Sequence, residues 1–290
     1  MCFLLANSRS IVRNGSRSML DLASRVAMDG TVVLVFADSA YARVLDNWLV
    51  AAQRCSVNNY IVVAFDRDLY ENLSGRGVTV WAGESVDERD RKERLVNFWQ
   101  ARFEVIRYVV RGGLNVIHSD ADAVWMQNPQ PYLNDLKFDL AFSQGTVWPT
   151  AAYARWGFVA CCGFFLARSN LRTQAFLDRC LEALVVEGDD QVSVNKMLLQ
   201  WCVDWCVADI CPPRSYEGCE ITCSSSPIFG RCAYMDLDVT VLPHALFSRV
   251  PQPSDKPMVV HPVSDKQQAA KVDVLRARQC WLLSDGETPI

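Results

Sequence analysis

Three continuous apolar runs constrain what this chain can fold into. Thr31-Val32-Val33-Leu34-Val35-Phe36, Tyr60-Ile61-Val62-Val63-Ala64-Phe65 and Val78-Thr79-Val80-Trp81 are rich in β-branched residues and show no polar alternation. Such runs form strands covered on both faces, as in a parallel sheet between layers of helix. The stretches between them read as helices. Val44, Leu45, Trp48, Leu49 and Ala52 keep a three-to-four spacing within Tyr41 to Cys55, and Asp66 stands where a cap is needed before Leu69 to Leu73. Arg94 to Arg111 repeats the spacing through Leu95, Phe98, Trp99, Phe103, Ile106 and Val110, after a charged connector from Glu84, and Gly112-Gly113 ends it. Strand alternating with helix predicts an α/β fold with a mostly parallel central sheet flanked by helices.

The remainder is more mixed. Asp139 to Phe142 and Ala160 to Ala167 read as strands separated by an aromatic loop, Trp148 to Trp156. Leu171 to Val186 reads as a helix, and a second begins at Asp189 or Asp190. Val239 to Leu242, Met258 to Val260 and a closing helix from about Lys266 to Leu283 follow. Residues 1–30 lack periodicity and are expected to form an irregular tail or stem remnant, leaving 31–290 as one domain. The apolar patch Cys2 to Ala6 is far shorter than the ~20 residues that span a bilayer. A membrane therefore enters only if an anchor lies outside this chain. The net charge of −4 gives no electrostatic basis for a nucleic-acid partner.

Six of the 12 cysteines fall in a Pro-, Ser- and Gly-rich stretch at 202–236: Cys202, Cys206, Cys211, Cys219, Cys223 and Cys232. An even count in a loop-like segment reads as a disulfide-stapled insertion made in an oxidising compartment. A zinc site built on Cys202-x3-Cys206 and Cys219-x3-Cys223 is the rival reading. The sequons Asn14-Gly15-Ser16 and Asn72-Leu73-Ser74 would be glycosylation acceptors in such a compartment. Cys161 and Cys162 lie within an apolar run and read as small buried hydrophobes.

Chemistry concentrates at Asp120-Ala121-Asp122, which ends the apolar run Leu114 to Ser119. Residues two apart in an extended segment face one side, so both carboxylates project together beyond a strand's carboxyl end. Oxygen ligands there suit a hard divalent cation that could hold a diphosphate. The chain holds two more Asp-x-Asp tripeptides, but Asp66-Arg67-Asp68 leads into a helix and reads as a cap. Asp236-Leu237-Asp238 precedes a strand and reads as solvated. Of the three histidines, His118 reads as a strand residue, His244 as a loop residue and His261 as a strand-end residue.

The order of motifs resembles the nucleotide-diphospho-sugar transferases of glycosyltransferase family 77. The series runs through Asp46-Asn47-Trp48-Leu49, Val62 to Asp66, Asn115 to Trp125 with Asn128-Pro129, and Cys162 to Asn170. It continues with Asp190-Gln191 and Asn195, Val241-Leu242-Pro243, Val259-Val260-His261, Lys271 and Trp281, and so covers roughly residues 31 to 283. Arg102 stands where the family often has a lysine, and Cys162 where an asparagine is common. The cysteine-rich segment has no counterpart in the series.

The resemblance implies a GT-A, Rossmann-like fold and a retaining transferase that moves a sugar from a UDP-sugar to a glycan or glycoprotein acceptor. Manganese, or magnesium, would be held by Asp120, Asp122 and His261. Asp120, Arg102, Gly163, Asn195 and Lys271 would bind the donor, and Asp190 with Gln191 would act at the sugar. The Golgi or secretory-pathway lumen is the expected location. The alternatives are a nucleotide-sugar hydrolase or nucleotidyltransferase, and a catalytically silent glycan-binding scaffold.

Overall fold

The computed structural model describes residues 13–14, 17–83, 91–201, 203–265 and 267–284. Gly15 and Ser16 of the first sequon, the connector from Glu84 to Asp90, Cys202 and Lys266 lie outside the described residues. The chain begins with a two-strand ladder, β1 (Arg13–Asn14) and β2 (Arg17–Ser18), then α1 (Met19–Val26). β3 (Thr31–Ala37), α2 (Ala42–Arg54), β4 (Tyr60–Ala64), α3 (Arg67–Gly75), β5 (Val80–Ala82), α4 (Arg91–Arg111) and β6 (Asn115–Ser119) complete the first half. β7 (Val124–Trp125), α5 (Gln130–Asp135), β8 (Leu140–Gln144), α6 (Thr150–Trp156), β9 (Ala160–Ala167), α7 (Leu171–Glu187) and α8 (Asp190–Gln200) follow. The last part holds β10 (Asp204–Cys206), β11 (Ile210–Tyr216), β12 (Cys219–Ser224), β13 (Ile228–Cys232), β14 (Leu237–Val241), β15 (Phe247–Ser248), β16 (Val259–Val260) and α9 (Gln268–Ala277).

The fold is α/β, built on a nine-stranded sheet of order β10-β13-β14-β8-β9-β6-β3-β4-β5. β6, β3, β4 and β5 run parallel, as the buried runs predict. Beyond them the sheet is mixed rather than mostly parallel, because β9 lies antiparallel between β6 and β8. Every residue of β3 is buried, and its side chains divide by the two-residue period of a strand. Val32, Leu34 and Phe36 pack in one core with Phe103, Ile106 and Phe176, whereas Val33 and Val35 pack in the other with Leu45, Trp48 and Leu275. Helices therefore cover both faces. Asp66 caps α3 by accepting from Leu69 N at 2.8 Å, as expected.

Four local readings change. Residues 19–26, placed by the sequence in an irregular tail, form a helix closed by a Ser18–Asp21 capping box, and Met19 and Ala23 are buried in the core. The Trp148–Trp156 loop contains α6. The closing helix is shorter, Gln268–Ala277. The 202–236 stretch is strand rather than loop, and among the described residues no disulfide forms there: Cys206, Cys211, Cys219, Cys223 and Cys232 are free thiols. Strand pairing organises the segment instead. Cys206 lies opposite Phe229, Cys219 opposite Tyr216, and Cys232 opposite Leu237; only Cys211 and Cys223 face one another. Nor do these cysteines gather into a metal cluster among the described residues.

Candidate active site

Helix connections leave β3 for β4 on one side, while α4 returns the chain to β6 on the other. Strand order thus reverses between β3 and β6, the place where open α/β sheets bind ligands beyond their strand ends. A cavity of about 700 Å³ opens there, lined by Ala37 and Asp38 at the end of β3 and by Asp120 and Asp122 after β6.

Two sheets deliver the acidic pair and its histidine. The antiparallel β6–β9 register sets Ser119 opposite Phe164, and Asp120 N donates to Gly163 O at 2.7 Å. The small β15-β16-β7 sheet pairs Val260 with Val124, carrying His261 to Asp122. His261 Nε2 lies 3.3 Å from Asp122 Oδ1 and 3.7 Å from Asp120 Oδ2. One ligand atom from each of Asp120, Asp122 and His261 falls within 4.8 Å of the others. Two carboxylates and an imidazole at that spacing form a donor set able to hold a hard-to-borderline divalent cation. Gly163 makes this convergence possible, since a Cβ there would stand 2.0 Å from His261 Cε1 and 2.7 Å from Asp120 Oδ2.

Two cations balance the carboxylates. Arg102, only 3% exposed, donates from Nη1 to Asp120 Oδ1 at 2.9 Å and from Nη2 to Asp190 Oδ2. Lys271 Nζ from α9 bonds Asp122 Oδ2. Burial pushes the Asp120 carboxyl up, but the Arg102 guanidinium and the His118 contact outweigh it and hold the group at about 2. Burial likewise opposes ionisation of Asp122, yet Lys271 and then His261 hold it well below the usual carboxylate range. Burial and Arg249 press His261 down, whereas Asp122 and the hydrogen bonds it makes raise it above its ordinary value. His118 is pushed down to about 4 by burial and by Arg102, so it stays neutral at pH 7 beside Asp120.

Asp190 and Gln191 stand at the N-terminus of α8, where Asp189 caps the helix by accepting from Val192 N at 2.9 Å. Both line the cavity. Gln191 Nε2 donates to Trp148 O at 2.6 Å, and its Oε1 accepts from Cys162 N at 3.3 Å. Asn195, expected among the substrate-binding residues, is fully buried and does not line the cavity. Its side chain accepts from Ala160 N at 2.9 Å and donates to Ala160 O and Gln191 O, each at 2.8 Å. It fastens α8 to β9, because an unpaired amide at that depth would be costly.

Sequence reasoning missed three features. Cys161, read as a small hydrophobe, lines the cavity with Sγ 3.9 Å from His261 Nδ1. Arg249 lines it too, and its Nε has no hydrogen-bond partner among the described residues. Nothing in the spacing around either residue singles it out. His244, read as a loop residue, is fully buried and accepts from Val250 N at 3.1 Å, and so shapes the Arg249 loop.

The nucleotide-diphospho-sugar transferase family matches residues 55–275. The chain is 25% identical over 165 residues to beta-arabinofuranosyltransferase RAY1 of Arabidopsis thaliana, which covers 54% of this chain and 31% of that protein. It is 28% identical over 123 residues to a UDP-D-xylose:L-fucose alpha-1,3-D-xylosyltransferase of the same plant, covering 40% of this chain and 34% of that one. The chain therefore spans about a third of each of these two relatives. Its structure is similar to that of the glycosyltransferase GlyE of Streptococcus pneumoniae TIGR4 at a TM-score of 0.47 and 11% identity, over 89% of this chain and 66% of that one. By the match over 55–275, which contains both aspartates, His261 and the start of α8, this chain belongs to the nucleotide-diphospho-sugar transferase family.

Proposed function

We propose that the chain is a metal-dependent glycosyltransferase that moves a pentosyl or hexosyl unit from a UDP-sugar to a hydroxyl of a glycan or glycoprotein, with retention at the anomeric carbon. The observation that carries this reading is the convergence of Asp120, Asp122 and His261 on one cavity with Asp190 and Gln191. The names of the plant relatives, arabinosyl- and xylosyltransferases, favour a pentose.

In this reading Asp120, Asp122 and His261 hold manganese or magnesium. The cation, when bound, offsets charge that develops on the departing diphosphate. Lys271 and Arg102 add positive charge on the same side of the cavity. Asp190, paired with Arg102, opposes the positive character that grows at the anomeric carbon, and Gln191 orients the sugar. The bond from the anomeric carbon to the diphosphate oxygen breaks while the bond to the acceptor oxygen forms. The acceptor proton passes to the leaving diphosphate, so front-face displacement needs no protein nucleophile. The motif resemblance supports work in the secretory-pathway lumen, with the Golgi as the expected station. Among the described residues no helix is long and apolar enough to cross a membrane.

The test is release of UDP from a panel of UDP-pentoses and UDP-hexoses with manganese present. One donor should turn over, faster with a sugar acceptor added. Asp122→Ala and Asp190→Ala should each lower the rate by about 10²–10³. Turnover indifferent to every acceptor would make the chain a hydrolase. Turnover of none by folded protein would refute the enzyme reading.

A further inference from the structure

The cysteine-rich hairpin of β11 and β12, which has no counterpart in the family's motif series, is fixed across the rim of the cavity. On one flank Arg214 forms a two-point ion pair with Asp255 at 2.6 and 2.8 Å and donates to Val250 O at 2.8 Å. On the other, Tyr153 Oη donates to Glu220 O at 2.7 Å and Gln144 Nε2 to Thr222 O at 2.6 Å. Thr222 N donates to Gly157 O at 3.0 Å, where a glycine Cβ would stand only 2.4 Å from Thr222 Oγ1. The turn between the strands uses left-handed residues, Glu217 at φ 50° and Gly218 at φ 77°. These anchors bring Tyr216 and Glu217 into the lining of the same cavity that holds Asp120 and Asp190. Trp148, 53% exposed, also lines it, and its carbonyl is held by Gln191 beside Asp190.

The chemistry of this wall differs from that of the donor side. It offers an exposed indole, a phenol, a carboxylate and, close to the phenol, the Arg249 guanidinium, where the Asp120 side offers paired charges. An aromatic face takes the C–H face of a sugar ring, and a phenol and a carboxylate bond its hydroxyls. Glu217 and Arg249 carry opposite charges in this lining, so the wall has no net charge to draw an anionic acceptor. Resting on the donor-site reading above, we infer that Trp148, Tyr216 and Glu217 form the acceptor subsite and take a neutral, hydroxyl-rich sugar. Specificity for the acceptor then resides in the hairpin rather than in the sheet.

Saturation-transfer NMR on the full chain with diamagnetic magnesium and UDP tests this. The probes are methyl glycosides of neutral pentoses and hexoses, with methyl glucuronide as the anionic comparison. Neutral glycosides should give signal and the glucuronide none. Trp148→Ala and Tyr216→Ala should each weaken neutral binding about tenfold or more. Glu217→Gln should narrow the gap between neutral and anionic probes. The same samples report UDP binding, which separates two failures. Absence of UDP binding by the wild type refutes the donor-site reading. UDP binding with neutral glycosides bound equally by wild type and variants, with no glycoside bound, or with the glucuronide preferred, overturns the acceptor subsite.

Discussion

Replacing Gly163 by alanine inserts one methyl group where His261 and Asp120 approach. The new Cβ would lie 2.0 Å from His261 Cε1 and 2.7 Å from its Nδ1. Carbon atoms settle at ~3.5 Å, so the ring must shift by roughly 1.5 Å. It has little room to do so. His261 is 6% exposed, Cys161 Sγ lies 3.9 Å from Nδ1, and the backbone is held by His261 N donating to Ser248 O at 2.9 Å. Metal–ligand distances tolerate only about 0.2 Å. Overpacking of this kind costs about 1–3 kcal/mol; the free protein relieves it by turning the ring aside and metal binding must restore it, a loss of roughly 5- to 150-fold in affinity. Titration of manganese followed by electron paramagnetic resonance of the free ion should show a loss of that size in Gly163→Ala, approaching the loss in His261→Asn. Circular dichroism melting confirms that the variant is folded. Unchanged manganese affinity in folded Gly163→Ala would refute the assignment of His261 as a ligand.

Three further outcomes follow from the same geometry. Asp139 accepts from Asn170 Nδ2, Arg172 Nε and Nη2 and Asp238 N at 2.8–2.9 Å, so Asp139→Ala should destabilise the fold by about 2–4 kcal/mol in urea titration. The lower half of that range is favoured by the 43% exposure of Arg172. Burial raises the Asp139 carboxyl, but its bonds to Arg172 and Asp238 N hold it below the ordinary value. This stabilisation is therefore present above about pH 4 and lost as pH falls through the lowered folded value. His261 is raised by Asp122 against burial, so protons compete with metal above its ordinary range. Manganese affinity should go on rising with pH above about 6.5, where an unperturbed histidine would already be mostly deprotonated. Finally, Lys271→Met removes the ammonium that occupies Asp122 Oδ2. Manganese alone should bind about tenfold tighter while UDP binds more weakly, as calorimetry with each ligand would show.

The α/β core was legible because β3 and β4 are buried on both faces and, like the edge strand β5, lie in unbroken apolar runs. The Asp120–Asp122 pair was legible because the apolar run of β6 ends just before it; the strand period does not apply, since the pair lies in a turn in which Ala123 N donates to Asp120 O at 3.0 Å. The mixed half was harder to read. Which neighbour β9 takes, and in which direction, is decided by pairing across distant sequence, and no local pattern encodes it. The hairpin at Ile210–Ser224 was masked by Pro212-Pro213 and by cysteines whose even count suggests bridges. Met19–Val26 is only eight residues long, too short for periodicity to stand out, and its Ser18–Asp21 capping box was the available signal. Asn195 shows the limit of motif reading, since a polar residue within a motif can serve the backbone alone.

The most direct test of the donor site is isothermal calorimetry of UDP with and without manganese, on the wild type and on Asp122→Ala. The geometry of Asp120, Asp122 and His261 predicts binding by the wild type that depends on manganese and is lost in the variant. UDP binding that ignores the metal, or that survives in Asp122→Ala, would contradict it.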